Sequence, residues 1–225
     1  DLNNLLTPVS TLLQLREETG VFDDELLPVA ARNVSTMRAY IRDALFFSEN
    51  LRPDIQIAEL DELVRRAIDV ARNARDKQVE IVSTLPVKVS AEVDSVQIER
   101  LIANLITNAI DASPVGGQVH IILERLAKTD EHRDWLRLRV VDHGEGISKE
   151  NLSRVLTAYF STKNRGDQNR GFGLGLAICR KIAALHGGSL TIESQLRKGA
   201  TVQLDLPAHQ IRAVTPIVPS TSQAA

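Results

Sequence analysis

A single cysteine, Cys179, and a single methionine are all the sulfur this 225-residue chain carries, and one thiol cannot close an internal disulfide. Set in an apolar helical run, Cys179 reads as a small buried residue rather than a nucleophile. Aromatic side chains are scarce as well: five Phe, two Tyr and one Trp, too few to build a stacking platform for bases. An excess of one charge is also missing. The 27 Lys and Arg against 29 Asp and Glu leave a net charge of -2, so there is no basic footprint and nucleic acid is not expected as a partner. No apolar run approaches the ~18 residues that would span a bilayer, and no charged-then-apolar segment opens the chain. The sequence therefore reads as a cytoplasmic piece. What it does contain, 43% hydrophobic and 25% charged residues, is ordinary for a folded globular protein.

The first fifty residues read as two helices. Leu2, Leu5, Leu6, Val9, Leu12 and Leu13 recur at heptad-like spacing, and Leu26, Leu27, Ala30, Val34, Met37, Ile41 and Leu45 do so again after a turn-like stretch from Gly20 to Asp24. A lone helical hairpin has no third wall for its apolar stripe, and pairing with a second copy into a four-helix bundle supplies one. A homodimer is the expectation, with packing of the hairpin on its own chain as the alternative. Pro8 removes a helical hydrogen bond, so the first helix should either kink there or start there.

Beyond Pro53 helices and strands alternate. Leu60 to Ala74 reads as an amphipathic helix, Val79 to Ser83 and Val87 to Val89 as strands, and Asp94 as the N-cap of a helix reaching Ala112. Along that helix Ile98, Leu101, Ile102, Leu105, Ile106 and Ala109 trace an apolar stripe, and Asn104, Asn108 and Asp111 fall beside it at i, i+4 and i+7. Short polar residues are poor helix formers. Gathered on one face, their oxygens suit a hard cation or hydrogen-bonding ligand. Strands follow at Gln118 to Glu124 and Leu136 to Val141, around a charged loop from Lys128 to Asp134. The second strand runs into Asp142-His143-Gly144-Glu145-Gly146-Ile147, a carboxylate at a strand end followed by two glycines that allow a tight turn and close approach. His120, His132, His143, His186 and His209 show no metal-ligand spacing.

A polar, basic loop from Phe160 through Thr162, Lys163, Arg165 and Arg170 enters Gly171-Phe172-Gly173-Leu174-Gly175-Leu176 and then a helix to His186. Free N–H groups at a helix start bind anions, and glycines keep side chains out of the way. The pattern is neither a Walker loop nor a dinucleotide fingerprint. A Gly187-Gly188 break then leads to a hairpin, Ser189 to Ser194 and Ala200 to Leu206. The last residues, from Val214, are rich in Pro, Ser, Thr and Ala and read as a tail or linker.

In this order, the Asn104/Asn108/Asp111 face, the Asp142-x-Gly144-x-Gly146 turn, the Phe160 segment and the Gly171-x-Gly173-x-Gly175 loop resemble the N, first G, F and second G boxes of sensor histidine kinases of two-component systems. Residues 53–210 are similar to the ATP-binding domain of the gyrase, chaperone, histidine kinase and mismatch-repair superfamily. Residues 1–52 resemble the dimerisation and phosphotransfer hairpin, and residues 211–225 would be a flexible tail. The resemblance implies an α+β fold: a hairpin forming a dimeric four-helix bundle, then a Bergerat-type α/β sandwich, a mixed sheet backed by helices. ATP and Mg²⁺ are the implied cofactors. Asp142 would accept a hydrogen bond from the adenine amino group, with Gly144, Gly146 and Ile147 close to the base and Thr201 supporting it. Asn108 would ligate Mg²⁺ on the phosphates, beside Asn104 and Asp111. Phe160, Thr162, Lys163, Arg170, Gly171, Gly173, Leu174, Gly175 and Leu176 would form the lid over the nucleotide.

Asn104 bears on the reaction. ATP-hydrolysing members of the superfamily carry a glutamate there as base, whereas asparagine cannot take a proton. The resemblance therefore implies phosphoryl transfer to a protein histidine. The opening Asp1-Leu2-Asn3-Asn4 resembles the segment just after that histidine, which is expected immediately before Asp1 in a longer protein. Asp1 would orient or deprotonate the imidazole, and Asn4 would position water for dephosphorylating a response-regulator receiver domain, the implied partner. An upstream sensor domain is implied too, and the chain could be the cytoplasmic part of a membrane-bound sensor. A serine kinase or ATPase of the same superfamily would share the pocket, but the hairpin with Asp1-x-x-Asn4 argues against both. A nucleotide-controlled dimeric scaffold remains an alternative.

Overall fold

The computed structural model describes residues 2–19, 26–48, 52–75, 77–86, 88–126, 134–161 and 172–208, with the backbone alone at 2–5 and 19. Helices α1 (Leu2–Thr19) and α2 (Leu26–Ser48) form the hairpin, and Leu12 and Ala30 are the residues it buries most fully. Helix α1 begins at Leu2 and runs through Pro8. A helix start at Pro8 is thereby corrected: the ring forgoes one hydrogen bond inside a helix already under way. Leu6, Leu13, Leu27, Val34, Ile41 and Leu45 stay 41% to 54% exposed. The expected turn from Gly20 to Asp24, the charged loop up to residue 133 and the tail lie outside the described residues. Among the described residues no helix is long and apolar enough to cross a membrane.

The remainder comprises β1 (Gln56–Glu59), α3 (Leu60–Asn73), β2 (Glu80–Thr84), β3 (Ser90–Val93), α4 (Ser95–Ala112), β4 (Gln118–Leu126), β5 (Trp135–Asp142), α5 (Lys149–Leu152), α6 (Gly175–Leu185), β6 (Ser189–Ser194) and β7 (Ala200–Pro207). A five-stranded sheet runs β2-β4-β5-β7-β6. Only β2 and β4 pair in parallel, so the sheet is mixed, as expected. Strands β1 and β3 form a separate antiparallel pair. This corrects the strand read at Val87 to Val89: the described residues Lys88 and Val89 are not in a strand, and Lys88 turns at φ 55. The pairing starts at Ser90, where Ala91 and Val93 bury themselves. Its partner, β1, is only four residues long and its burial does not alternate, so no period shows.

Alternation explains the two faces of the sheet. Val119, Ile121, Leu123, Leu136, Leu138, Val140, Leu204 and Leu206 are buried in one core with helices α3, α4 and α6. The other face is polar. Arg137 donates to both Asp205 oxygens at 2.8 and 2.9 Å, and Arg139 meets Glu124 at 3.4 Å. Helix α4 is the central element of the core: Ile98, Leu101, Ile102, Leu105 and Ile106 are almost wholly buried, each worth roughly 1.5–3 kcal/mol of apolar burial. Asp94 caps it, accepting from the backbone N–H of Gln97 at 3.1 Å. Its second oxygen accepts from the Asp54 N–H at 3.1 Å, which ties the chain leaving the hairpin to the start of α4.

Candidate functional site

The polar face of α4 is half-buried along its length. Asn104 is wedged against α6. Its Nδ2 donates to the Cys179 sulfur at 3.2 Å, and a Cβ on Gly175 would come within 2.7 Å of the same nitrogen. Burial pushes the Cys179 thiol up to about 12, so at neutral pH it is an uncharged acceptor, inert as a nucleophile. Asn108, one turn further on, is half-buried on the same face. Asp111 differs from expectation. Its carboxylate is taken by Arg75, Nε to Oδ1 at 2.6 Å and Nη2 to Oδ2 at 3.0 Å, so the residue expected to line the nucleotide face is engaged by the protein itself.

Asp142 closes strand β5 with its side chain on the helix-covered side and is 5% exposed. Burial raises its pKa above the ordinary carboxylate value, against the lowering effect of the Gly144 and Ala200 backbone amides and of His143 nearby. Gly144 N–H donates to Oδ1 at 2.9 Å. The turn is bolted to α4: a Cβ on Gly144 would collide with the Ala112 carbonyl, and the Glu145 N–H donates to that same oxygen at 3.3 Å. Gly146 has φ 66, and its Cβ would strike the Gln195 carbonyl. These glycines thus answer to close protein packing, a different reason from the ligand room read from the sequence. Ile147 N–H donates to Ser194 Oγ at 2.8 Å, and Ser194 donates onward to the Gly199 carbonyl at 2.7 Å.

The loop from Phe160 to α6 is described at its two ends. Gly173 turns at φ 72, with its Cβ position filled by the Phe160 carbonyl. The Arg154 guanidinium lies 4.6 Å from the Phe160 ring centroid, a cation–π contact. The Phe172 ring sits 4.1 Å from that of Tyr40 in α2, so the loop's end touches the hairpin. Lys181 of α6 reinforces that contact by donating to the Phe46 and Phe47 carbonyls at 3.1 and 2.7 Å. The Leu174 side chain is in the core and Leu176 packs against it. Asp1, the Asn4 side chain, Thr162, Lys163, Arg170 and Gly171 lie outside the described residues.

Thr201 is corrected by the strand register. It pairs with Val141, while Ala200 pairs with Asp142. Paired residues share a face and neighbours alternate, so Thr201 is on the polar side of the sheet, away from Asp142. Sequence reading missed Arg75, Ser194 and Gly199. Of these only Gly199, in a hairpin turn beside Lys198, carried a signal.

The donors that remain fit a purine nucleotide and a hard cation. Asp142 is a buried acceptor, and the carboxamide oxygens of Asn104 and Asn108 are hard ligands. No three His, Cys, Asp or Glu side chains converge among the described residues, so a divalent cation there would draw further ligands from phosphate and water, as Mg²⁺ commonly does. Residues 93–210, which hold α4, the Asp142 turn and the glycine loop, match the family described as histidine kinase-, DNA gyrase B-, and HSP90-like ATPase. The chain belongs to this family. Within it, sporulation kinase D of Bacillus subtilis (strain 168) is 26% identical over 214 residues, 92% of this chain and 40% of that protein. The solved mycobacterial sensor histidine kinase MprB is 25% identical, with TM-score 0.57 over 70% of this chain and 99% of that one. Full-length ShkA in complex with AMPPNP shares the fold at TM-score 0.66 and 19% identity, over 94% of this chain and 45% of that one. The chain spans 27% to 40% of the length of the first curated relatives it matches.

Proposed function

We propose that this family member is the catalytic core of a sensor histidine kinase, which binds Mg-ATP between α4 and the Asp142 turn and passes the γ-phosphoryl group to a histidine. The observation that supports this reading is the joint between Ala112 at the end of α4 and Gly144-Glu145, which ties the helix carrying Asn104 and Asn108 to the turn that follows the buried Asp142. Asp142 accepts from the adenine amino group. Asn108 would hold the cation through its carboxamide oxygen, and the cation would offset charge on the phosphates. Asn104 aligns rather than deprotonates, because an amide holds no exchangeable base at neutral pH. Lys163 and Arg170 would supply positive charge to offset that of the phosphates. In the transfer the bond from γ-phosphorus to the ADP oxygen breaks, a bond to an imidazole nitrogen forms, and the imidazole proton leaves to Asp1 or water.

The acceptor histidine is proposed to precede Asp1 in the longer protein, and a response-regulator aspartate to receive the phosphoryl group from it. Asn4 would then serve dephosphorylation of that regulator. On the same reading residues 1–52 are the phosphotransfer hairpin, 53–210 the ATP-binding domain and 211–225 a linker. The chain extended upstream, incubated with γ-labelled ATP and Mg²⁺, should acquire protein-bound label that survives base and is lost in acid. Free phosphate as the only product would mark an ATPase, base-labile and acid-stable label a serine kinase, and nucleotide binding without turnover a scaffold.

Two further outcomes follow from the same arrangement. Asn108→Ala should weaken Mg-ATP binding about tenfold, through loss of one oxygen ligand to the cation, while ADP measured in EDTA binds as before; calorimetric titration separates the two. The exposed stripe through Leu27, Val34 and Ile41 is proposed to be the bundle core of a homodimer. Ile41→Glu would bury an unpaired charge there, and sedimentation should show dimers dissociating at concentrations at least about tenfold higher.

A further inference from the structure

Asp111 is a costly residue where it stands. It is the second-last residue of α4, so its charge meets the negative end of the helix dipole, and its side chain is 5% exposed. Both circumstances oppose a carboxylate. Compensation comes from the segment that follows α3. Besides its two hydrogen bonds to the carboxylate, Arg75 donates from Nη1 to the Ala74 carbonyl at 3.0 Å, which fixes the plane of its own guanidinium. Lys77 Nζ donates to the main-chain oxygen of Asp111 at 2.9 Å.

Two other carbonyls of the last turn are held too. The Ala109 oxygen accepts from Ser113 N–H at 3.0 Å and from its hydroxyl at 2.8 Å, and the Ala112 oxygen accepts from Glu145. Helix ends usually leave such groups to water. Here the last turn of α4 is clamped through a side chain and three carbonyls, and Asn108 stands at its start. An ion pair this buried is a weak source of stability compared with an apolar pair of similar volume. What a two-pronged guanidinium–carboxylate contact supplies is direction.

We infer that Arg75 is a positioning residue of the nucleotide site: through Asp111 it holds the last turn of α4, so that the Asn108 carboxamide keeps its place relative to Asp142. This rests on the Mg-ATP reading above. Arg75→Met alone leaves a buried unpaired carboxylate and can fail to fold, so the decisive variant is Arg75→Met with Asp111→Leu, measured in the whole chain. Its thermal midpoint should return to that of the parent. Its affinity for Mg-ATP should stay about tenfold weaker, the scale on which partners behind a metal ligand act, while ADP in EDTA, held at the Asp142 end, binds as in the parent. A double variant that binds Mg-ATP as tightly as the parent, that loses both nucleotides equally, or that does not fold would overturn the inference. A parent chain that binds neither nucleotide would instead overturn the functional reading on which it rests.

Discussion

Asp142→Ala should weaken ATP binding by about 100-fold, the largest single effect expected at this site. The substitution removes a buried acceptor and leaves the adenine amino group facing an apolar hollow, and a hydrogen bond to a charged group contributes roughly 1.5–3 kcal/mol. Calorimetry with Mg-ATP reads it directly, with far-ultraviolet dichroism to confirm folding. The pH dependence has a definite sign. Because burial raises the Asp142 pKa above the 3.8 of an ordinary aspartate, the carboxylate is lost on acidification earlier than an exposed one would be. Affinity should therefore fall as pH drops through that raised value, and Asp142→Ala should flatten the profile. Stability moves the other way: a carboxyl with a raised folded pKa contributes most below its unfolded value and loses that contribution as pH rises through the folded one. Above that point the ionised, buried group is tolerated for what it binds.

The second large effect lies at a residue outside the boxes that mark this family in the sequence. Gly199 turns at φ 85, and a Cβ there would strike the Asp142 carbonyl. Gly199→Ala should cost about 2–5 kcal/mol, from left-handed strain of roughly 1–2 kcal/mol and overpacking of roughly 1–3 kcal/mol. It should also weaken nucleotide binding, because the clash falls on the residue that carries the carboxyl. Gly116 is the control. It has φ 76 but nothing within 4 Å of its Cβ position, so Gly116→Ala should show the backbone strain alone and leave binding intact. Urea denaturation of both variants separates the contributions.

Long-period features were legible in the sequence. The stripe on α4 and its Asp94 cap, the hairpin helices, and the alternation of β4, β5 and β7 all repeat over enough residues to be read locally, and Asn104 and Asn108 lie on α4 beside that stripe as read. Asp142 was legible because a strand ends there and glycines follow. The clamp on α4 was not: Arg75 and Asp111 are 36 positions apart, and nothing local distinguishes such a pair from two solvated charges. Thr201 was misread because its side of the sheet depends on the β5–β7 register, and a shift of one residue exchanges the faces. The glycines were found for the wrong reason. Their positions suggested room for a ligand, while the neighbours that require them, Ala112, Gln195 and Phe160, are distant in sequence.

The most direct test of the account is to follow backbone amide signals by NMR while Mg-AMPPNP is titrated into the chain. Perturbation concentrated in residues 104–112, 142–147 and 172–176, with Arg139, Thr201 and Gln203 on the opposite face of the sheet unmoved, is the predicted result. Signals that shift on that polar face, or none that shift at millimolar nucleotide, would contradict it.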